Sequence, residues 1–336
     1  MMEDQWIRNL KNAIKNLPRG LREPKTVEIF ERVYYLDPID YKVINYPRQP
    51  TSVTSPGVVL INRMLYIYPE VSFNVLSFSS IGVFKVSIER ILEKSVLKPL
   101  GLRILLWSTK PWEEQGYREP LASYFSNNIY LAYSSLKVNG EALPVITILD
   151  RNLVPKNIVN PKIIFLGKIE YPKVVKNLIL LDICRDKSPL LLTLRSSIVG
   201  GCWYSNILYD TSLILSADFK PVIAPENWEK EVKWITNPLK ISSNEYLVGW
   251  QSITNEGRYF NGLALIDDSG QLLAVSNYLL TAKTLVEVYG DKPGVIGGGG
   301  LVKYKEYIMW IGGLSGYGIG FYIAKEDKVF NTLKRV

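Results

Sequence analysis

Residues 300–310, GLVKYKEYIMW, consist of an apolar segment, a polar turn and an aromatic segment, and the glycine-led apolar segment GIGFYIA follows at residues 318–324. The same order of apolar segment, turn and aromatic segment recurs at residues 56–68, 120–133 and 238–250, each time after a proline. Short apolar and aromatic runs separated by turn residues are typical of antiparallel β-hairpins. The recurrence predicts a chain built from copies of one β-sheet unit.

The spacing of these copies predicts their number. They begin at residues 56, 120, 238 and 300, so the middle interval is about twice as long as the other two. A degenerate copy from Val175 to Arg195 fills it, with apolar runs on either side of a polar turn. Five units of roughly 60 residues predict an all-β, five-bladed β-propeller, in which each sheet covers its neighbours. A β-sandwich is the alternative, but it does not explain the repeated Tyr-x-x-Tyr/Trp segment.

The amino-terminal segment has a different pattern. Apolar residues from Trp6 to Leu17 follow helical spacing, and Pro18 ends the pattern. We therefore divide the chain into an N-terminal extension with an amphipathic helix, residues 1–50, and a propeller domain, residues 51–336. The helix is expected to pack on the ring, to cover the site or to mediate formation of a homo-oligomer, and these alternatives stay open.

Composition limits the type of protein. The 336 residues are 47% hydrophobic and 21% charged, and no apolar run reaches the roughly 18–20 residues of a membrane-spanning helix. Residues 1–6 show no basic segment followed by an apolar run, so we expect no secretory signal. The sequence predicts a soluble, cytoplasmic protein without a membrane partner.

The absence of histidine limits the chemistry. The chain has no histidine and two cysteines, Cys184 and Cys202, which excludes Ser/His and Cys/His catalytic couples and imidazole-ligated zinc. Proton transfer must therefore use carboxylates, lysine or tyrosine. We expect two buried thiols, no metal site and no cofactor.

The net charge is +8, from 40 basic and 32 acidic residues. Because the basic residues are scattered along the chain, they favour a phosphorylated small molecule, or no specific partner, over nucleic acid. A nucleic-acid adaptor is the weakest of the functions considered.

In a propeller, the starts of the inner strands and their adjoining loops converge at one end of the axis. Polar residues at such positions are the candidate site residues: Arg118, Glu119, Lys176, Asn177, Arg195, Gln251, Arg258 and Tyr259. The run Gly297–Gly300 precedes a strand rather than a helix, so it indicates close backbone approach rather than a phosphate loop.

Residues 246–251, 258–267 and 297–324 resemble the carboxy-terminal blades of glycoside hydrolase family 130, and the likeness extends over residues 55–327. That family comprises β-mannoside phosphorylases and related hydrolases with a five-bladed propeller fold. The resemblance therefore implies a glycoside substrate.

The resemblance also implies residue roles. Glu119 occupies the place of the family's catalytic aspartic acid, and Lys176, Asn177 and Arg195 match polar partners of phosphate or substrate. Gln251 stands where the family has histidine, and Pro69 where it has arginine, so two phosphate contacts are expected to be missing.

The resemblance thus implies inverting phosphorolysis or hydrolysis of β-mannoside-like glycosides, with Glu119 as general acid and inorganic phosphate as a co-substrate of phosphorolysis. Tyr117 and Tyr259 are candidates for stacking on sugar rings. Hydrolysis requires a second carboxylate at about 6.5–9.5 Å from the acid, for which Glu229, Glu231, Glu245 and Glu256 are available. The alternative is a non-catalytic propeller that binds a glycan or a protein partner.

Overall fold

The computed structural model describes residues 2–74, 78–107, 116–137, 142–150, 152–165, 168–170, 173–184, 186–208 and 213–336. Strands dominate these ranges, so the expected all-β class is confirmed. The helices are α1 (Met2–Lys15), α2 (Ile88–Leu92), α3 (Leu285–Val288) and α4 (Glu326–Asn331), with short 3-10 turns at Pro38–Asp40 and Ser216–Asp218. None of the helices in the described ranges has the length and apolar character that a membrane crossing requires.

The strands follow one another along most of the chain. In chain order they are β1 (Glu31–Leu36), β2 (Tyr41–Val43), β3 (Ser52–Ile61), β4 (Met64–Ser72), β5 (Ser79–Ser87), β6 (Leu100–Leu106), β7 (Gly116–Phe125), β8 (Asn128–Leu136), β9 (Ala142–Leu149), β10 (Pro155–Val159), β11 (Lys162–Phe165), β12 (Lys168–Glu170), β13 (Val175–Leu180), β14 (Lys187–Leu194), β15 (Cys202–Leu208), β16 (Leu213–Leu215), β17 (Lys220–Ile223), β18 (Glu229–Trp234), β19 (Leu239–Lys240), β20 (Glu245–Thr254), β21 (Tyr259–Asp267), β22 (Leu272–Val275), β23 (Ile296–Tyr304), β24 (Tyr307–Leu314), β25 (Gly318–Lys325) and β26 (Lys334–Arg335).

Antiparallel pairing divides most of these strands into five groups. They are β3–β6, β7–β10, β13–β17, β18–β22 and β23–β25, which we call the first to fifth groups, and β1 completes the fifth. Hydrogen bonding joins the first and second groups at the single pair Ser79 and Gly116, so four sheets result. Because this pairing does not close the described sheets into a ring, it confirms the all-β class but not the propeller.

The predicted hairpins are present in four of the five repeats, as β3–β4, β7–β8, β13–β14 and β23–β24. The fourth repeat differs. Its first long strand is β18, which starts at Glu229, upstream of the predicted start at residue 238. The proline-led segment supplies only the short β19, so the fourth unit begins earlier than its sequence pattern indicated.

Hydrophobic clusters lie between successive groups, and one more lies between the fifth and the first. The clusters include Ile81 and Leu131 (first and second groups), Ile146 and Leu192 (second and third), Leu191 and Trp234 (third and fourth), Leu247 and Trp310 (fourth and fifth), and Phe321 and Phe84 (fifth and first). Each group therefore buries apolar side chains on both of its faces. A sheet with one face in solvent would instead alternate between apolar and polar residues along each strand.

The amino-terminal segment is packed onto the sheets. Helix α1 lies where the helical spacing predicted a helix, and it places Leu10 and Ile14 in the cluster of the second and third groups. Farther along, Arg22 is buried, forms an ion pair with Glu229, and lies 4.9 Å from the centroid of the Trp250 ring. Strand β1 pairs with β25. The division of the chain at residue 50 stays a prediction.

The two thiols differ from the expectation. Cys202 is buried in β15, but Cys184 is exposed. Cys184 lies outside the strands, between Leu181, the last buried residue before it, and the start of β14 at Lys187. The prediction of a second buried thiol was wrong.

Candidate active site

The first strand of every group contains a β-bulge near its start. The pairing register shifts between Thr54 and Gly57, Arg118 and Leu121, Val175 and Asn177, Glu229 and Glu231, and Ile296 and Gly299. A bulge leaves one or more residues outside the ladder and redirects their side chains, and bulges are frequent next to active sites. The five bulges therefore release side chains from the sheets at equivalent positions of the five groups.

Proline explains two of these bulges locally. Ser55 and Glu119 each precede a proline, which has no N–H to give to a strand ladder. Both residues have left-handed backbone angles, with φ of 45° at Ser55 and 53° at Glu119. The Ser55-Pro56 and Glu119-Pro120 pairs thus interrupt regular strand pairing in β3 and β7. In β7 the interruption frees Glu119 from the ladder.

The five groups meet at a small cavity of about 10 Å³, enough for about one water molecule. Its lining includes Ser55, Glu119, Asn177, Lys233 and Gly298, one residue from each group. Of the candidates that the sequence placed together, Glu119 and Asn177 both line this cavity.

Glu119 is held as a carboxylate. Asn177 Nδ2 donates a hydrogen bond of 3.0 Å to Glu119 Oε2, and Lys233 Nζ lies 3.9 Å from Oε1. Burial favours the neutral acid, but Lys233, Lys176 and the Asn177 hydrogen bond outweigh it and lower the pKa of Glu119 to about 2. At neutral pH this side chain is therefore charged in the structure.

Three lysines surround this carboxylate, and we call Lys176, Lys233 and Lys292 the lysine cluster. Lys176 Nζ donates a 3.3 Å hydrogen bond to Glu231 Oε1, and Ser196 donates to the other oxygen of that carboxylate. Burial opposes the charge of Lys176, but Glu119 and Glu231 outweigh it and raise the pKa of Lys176.

Lys233 lies in a different environment. Its side chain is 11% exposed, and burial lowers its pKa against the opposing effect of Glu119. Among the described residues no acceptor lies within hydrogen-bonding distance of Lys233 Nζ, and the Glu119 carboxylate at 3.9 Å is its ion-pair partner. The ammonium group of Lys233 thus faces the cavity with its hydrogen-bond donors available.

A second carboxyl group, Glu70, supports the backbone of Glu119. Glu70 is buried on β4, and its Oε2 accepts a 3.3 Å hydrogen bond from the backbone N–H of Glu119, while its Oε1 lies 3.8 Å from Arg118 Nε. Burial raises the pKa of Glu70, although Lys292 and Arg118 oppose this. The bulge in β7 leaves the backbone N–H of Glu119 without an acceptor in the strand ladder, and Glu70 supplies that acceptor.

Arg195 and Gln251 make other contacts. Arg195 Nε donates to the carbonyl of Lys173 at 2.7 Å, and its Nη2 donates to the carbonyl of Ala142. It lies near enough to Lys176 to oppose the positive charge there. Gln251 is buried and donates to Asn261 Oδ1 and to the carbonyl of Ile296, which joins the fourth and fifth groups.

Arg258 and Tyr259 lie in the hairpin between β20 and β21. Arg258 is exposed and its backbone N–H bonds to Thr254, while Tyr259 pairs with Ile253. None of the hydrogen bonds and ion pairs among the described residues joins either of them to Glu119. Tyr117, a candidate for sugar stacking, is buried, and its ring centroid lies 4.9 Å from that of Tyr133.

Of the four candidate catalytic bases, Glu231 is the one that contacts the lysine cluster. Glu229 forms an ion pair with Arg22 and accepts a hydrogen bond from Tyr278. Glu245 is the first residue of β20, where its backbone lies opposite Asp267 of β21. Glu256 lies in the exposed turn between these two strands.

The expected close approach is present at two of the four glycines of the run, at Gly299 with a backbone atom and at Gly300 with a side chain. A Cβ at Gly299 would lie 1.6 Å from the carbonyl oxygen of Ile311, and one at Gly300 would lie 2.4 Å from Val58 Cβ. Glycine is required at both positions because larger residues would separate the strands.

The sequence indicated Glu119, Lys176 and Asn177 but not Lys233, Lys292 or Glu70. Lys233 precedes the segment recognised as the fourth repeat, so the repeat pattern gave no reason to consider it. For Glu70 a signal was present, since a carboxylate follows the apolar and aromatic run Tyr66–Tyr68 in a strand buried on both faces.

Comparison with known proteins identifies relatives. A family model described as beta-1,4-mannooligosaccharide phosphorylase matches residues 20–335. The structure resembles beta-1,2-mannobiose phosphorylase from Listeria innocua, solved with beta-1,2-mannobiose, with 14% identity, a TM-score of 0.69, and coverage of 88% of this chain and 96% of that chain.

Two further solved structures are similar. A putative glycoside hydrolase from Parabacteroides distasonis is 11% identical with a TM-score of 0.63, covering 89% of this chain and 97% of that chain. A glycosyl hydrolase from Bacteroides ovatus is 11% identical with a TM-score of 0.64, covering 92% and 98%. No curated protein gives a significant sequence match. Because the family model spans nearly all of the sequence, the chain belongs to glycoside hydrolase family 130, the beta-1,4-mannooligosaccharide phosphorylase family.

Proposed function

We propose that this protein cleaves β-mannoside-like glycosides by inverting phosphorolysis, with inorganic phosphate as co-substrate. The observation that carries the proposal is the arrangement at the cavity, where a carboxyl group lies beside the lysine cluster. An inverting phosphorylase needs a carboxylic acid for the leaving oxygen and fixed cations for the phosphate. The family supports the same reaction type.

We further propose that the five strand groups form a five-bladed propeller. The support comes from packing rather than from hydrogen bonding, because hydrophobic clusters lie between each pair of successive groups and between the fifth and the first. In such a ring the bulges of the first strands lie around the axis at one end, which accounts for a cavity lined from all five groups.

In this reaction Glu119 gives its proton to the leaving glycosidic oxygen while a phosphate oxygen forms a bond to the anomeric carbon from the opposite face. The glycosidic C–O bond breaks and the sugar leaves as its 1-phosphate with inverted configuration. Lys233 and Lys176 hold the phosphate charge, and Asn177 fixes one oxygen of Glu119. Glu70 is assigned a positioning role, because it binds the backbone of Glu119.

Hydrolysis is the second candidate reaction. The observation that favours it is the position of Glu231, which is on β18, the strand that contains Lys233. The Glu231 carboxylate accepts hydrogen bonds from Lys176 and Ser196. In that reaction Glu231 would accept a proton from the attacking water.

The remaining expectations from the sequence stay predictions. These are substrate contacts of Arg118, Arg195, Gln251, Arg258 and Tyr259, a cytoplasmic location, a homo-oligomer and the absence of nucleic-acid binding.

The test is cleavage of β-1,4- and β-1,2-mannobiose with and without inorganic phosphate. We expect mannose 1-phosphate to form only with phosphate, and we expect Glu119→Gln to lose activity by at least about a hundredfold. Glu306→Gln, an exposed control in the turn between β23 and β24, should keep the wild-type rate. Equal cleavage without phosphate would establish hydrolysis instead. No cleavage in either condition, together with unchanged glycan binding by Glu119→Gln, would establish the non-catalytic alternative.

A further inference from the structure

Glu119 has the wrong protonation state for its proposed task. A general acid must carry a proton when the substrate is bound, yet the Glu119 carboxylate is bonded to Asn177 and paired with Lys233 in a manner that stabilises its negative charge. Something that binds with the substrates must therefore remove this stabilisation before the leaving oxygen can be protonated.

We propose that a phosphate-type dianion binding at Lys233 and Lys176 displaces Glu119 from its lysine partners, and that Glu119 then takes up one proton from solvent. The inference deepens the proposed phosphorolysis and rests on it for the identity of the anion. Its consequence is an order of events, in which the carboxyl group becomes a proton donor only after the co-substrate has bound.

The geometry around Lys233 shows why an anion would compete with Glu119. The Lys233 side chain is largely buried, and its separation from Glu119 Oε1, 3.9 Å, is longer than a hydrogen bond. An oxyanion that approached to hydrogen-bonding distance would bind this ammonium group more strongly than Glu119 does, because charge-assisted hydrogen bonds are short and strong.

The size of the cavity favours displacement. A volume of about 10 Å³ holds about one water, and movement of the Glu119 carboxyl group away from Lys233 would make room there for a tetrahedral anion. A carboxyl group that has left its cation loses the ion pair that favoured its charged form, and a dianion bound on the other side of the sugar adds a like charge, so both changes favour the neutral form.

The charged groups that face Glu119 are known from each neighbouring element. Lys176 is on β13, Lys233 and Glu231 are on β18, Lys292 precedes β23, Glu70 is on β4, and Arg118 adjoins Glu119 on β7, while Arg195 acts on Lys176 from the third group. Glu70 is the other carboxyl group able to take up a proton here. A test must therefore separate Glu119 from Glu70.

The test uses sulfate as the probe, because sulfate stays a dianion through the neutral range and brings no proton of its own. Calorimetric titrations of the full chain at several pH values between about 4.5 and 6, in buffers of different ionisation enthalpy, give the number of protons taken up. We expect uptake of up to about one proton per bound sulfate, with uptake that grows as the pH falls, and affinity that decreases by up to about tenfold for each unit of rising pH. Sulfate binding without proton uptake, or no sulfate binding, would overturn the proposal.

Variants locate the proton and the anion. Glu119→Gln should still bind sulfate but take up no proton, Lys233→Met should lose at least about tenfold in sulfate affinity, and the exposed control Glu306→Gln should match wild type. If uptake persists in Glu119→Gln, the proton goes elsewhere, with Glu70 as the first alternative, and the proposal is wrong. Should Glu119→Gln fail to fold, the outcome for Lys233→Met still decides whether the anion binds at the lysine cluster.

The result is separable from the proposed function. Phosphate-dependent cleavage of mannobiose with buffer-independent sulfate binding would leave the reaction intact and refute the proton coupling. Coupled sulfate binding without cleavage of any mannoside would support the coupling and refute the reaction.

Discussion

Replacing Lys233 by methionine should raise the pKa of Glu119, because it removes the nearest cation while keeping a similar side-chain volume. Unit charges about 4 Å apart interact by about 4 kcal/mol at an effective dielectric constant of 20 and by about 1 kcal/mol in water. The separation here is 3.9 Å and the Glu119 side chain is 33% exposed, so about 1–3 kcal/mol is the reasonable range. That range corresponds to roughly one to two pKa units.

The assay is carbon-13 NMR of glutamate carboxyl groups during a pH titration, with the Glu119 signal assigned as the one that Glu119→Gln removes. We expect its midpoint to rise from about 2 by about one to two units in Lys233→Met. Lys240→Met is the matched control, since its ammonium group pairs with Asp182, at 3.4 Å, and neither residue lines the cavity. A shift of less than about 0.3 units in Lys233→Met, or an equal shift in Lys240→Met, would refute the electrostatic account of the site.

The same change has a consequence for stability. The pKa of Glu119 is lower in the folded protein than its ordinary value of 4.5, so its contribution to the free energy of unfolding is present above that ordinary value and is lost as the pH falls towards about 2. In Lys233→Met the folded pKa lies closer to the unfolded one. This part of the acid dependence should therefore be smaller in the variant.

Two further predictions concern stability. Arg22→Met should lower the free energy of unfolding in urea by about 3–5 kcal/mol, because it leaves the buried Glu229 carboxylate without its cation; the exposed control Arg19→Met should change it little, and a loss below about 1 kcal/mol for Arg22→Met would contradict the assignment. Gly249→Ala should lower the free energy of unfolding by about 1–3 kcal/mol, since its Cβ would lie 2.5 Å from Thr236 Cγ2 and 2.7 Å from Trp310 Cη2. The control Gly101→Ala, whose Cβ has its nearest contact at 3.6 Å, should be close to neutral. Equal melting temperatures for the two variants would show that the structure around Gly249 relaxes without cost.

The hairpins could be predicted from the sequence because their information is local. A proline or glycine, an apolar run and a polar turn lie within about a dozen residues, and each determines its own stretch of backbone. The packing of the first group against the fifth depends instead on contacts between residues that are distant in the sequence, such as those of Phe84 with the cluster that contains Phe321. No local pattern specifies such contacts.

The site was predictable to the extent that it follows the repeat. Glu119 and Asn177 occupy equivalent places in successive first strands, so their proximity follows from the pattern. Lys233 belongs to a strand that starts before the recognised repeat, and its place in the cavity depends on the bulge after Glu229. A bulge changes which side chains face the cavity without leaving a clear trace in the hydrophobic pattern.

The family resemblance indicated which sequence positions to consider, but it did not indicate the hydrogen-bond partners of the residues there. Arg195 and Gln251 lie near the places that the family pattern assigns to phosphate partners, yet their donors reach backbone carbonyls of Lys173 and Ile296. A side chain that donates hydrogen bonds to neighbouring backbone carbonyls stabilises the contacts between sheets. Only the three-dimensional structure shows which acceptors such a side chain has.

The pairing of β1 with β25 links two segments that are far apart in the chain, with Glu31 opposite Ile323. During synthesis, β1 emerges long before the edge that it completes, so its pairing is among the contacts with the greatest loop-closure entropy. Until β25 is made, β1 lacks its partner strand and exposes unpaired backbone N–H and C=O groups, which are a template for association with other chains. The interval between translation of β1 and its docking is therefore when a nascent chain of this protein is most prone to aggregate.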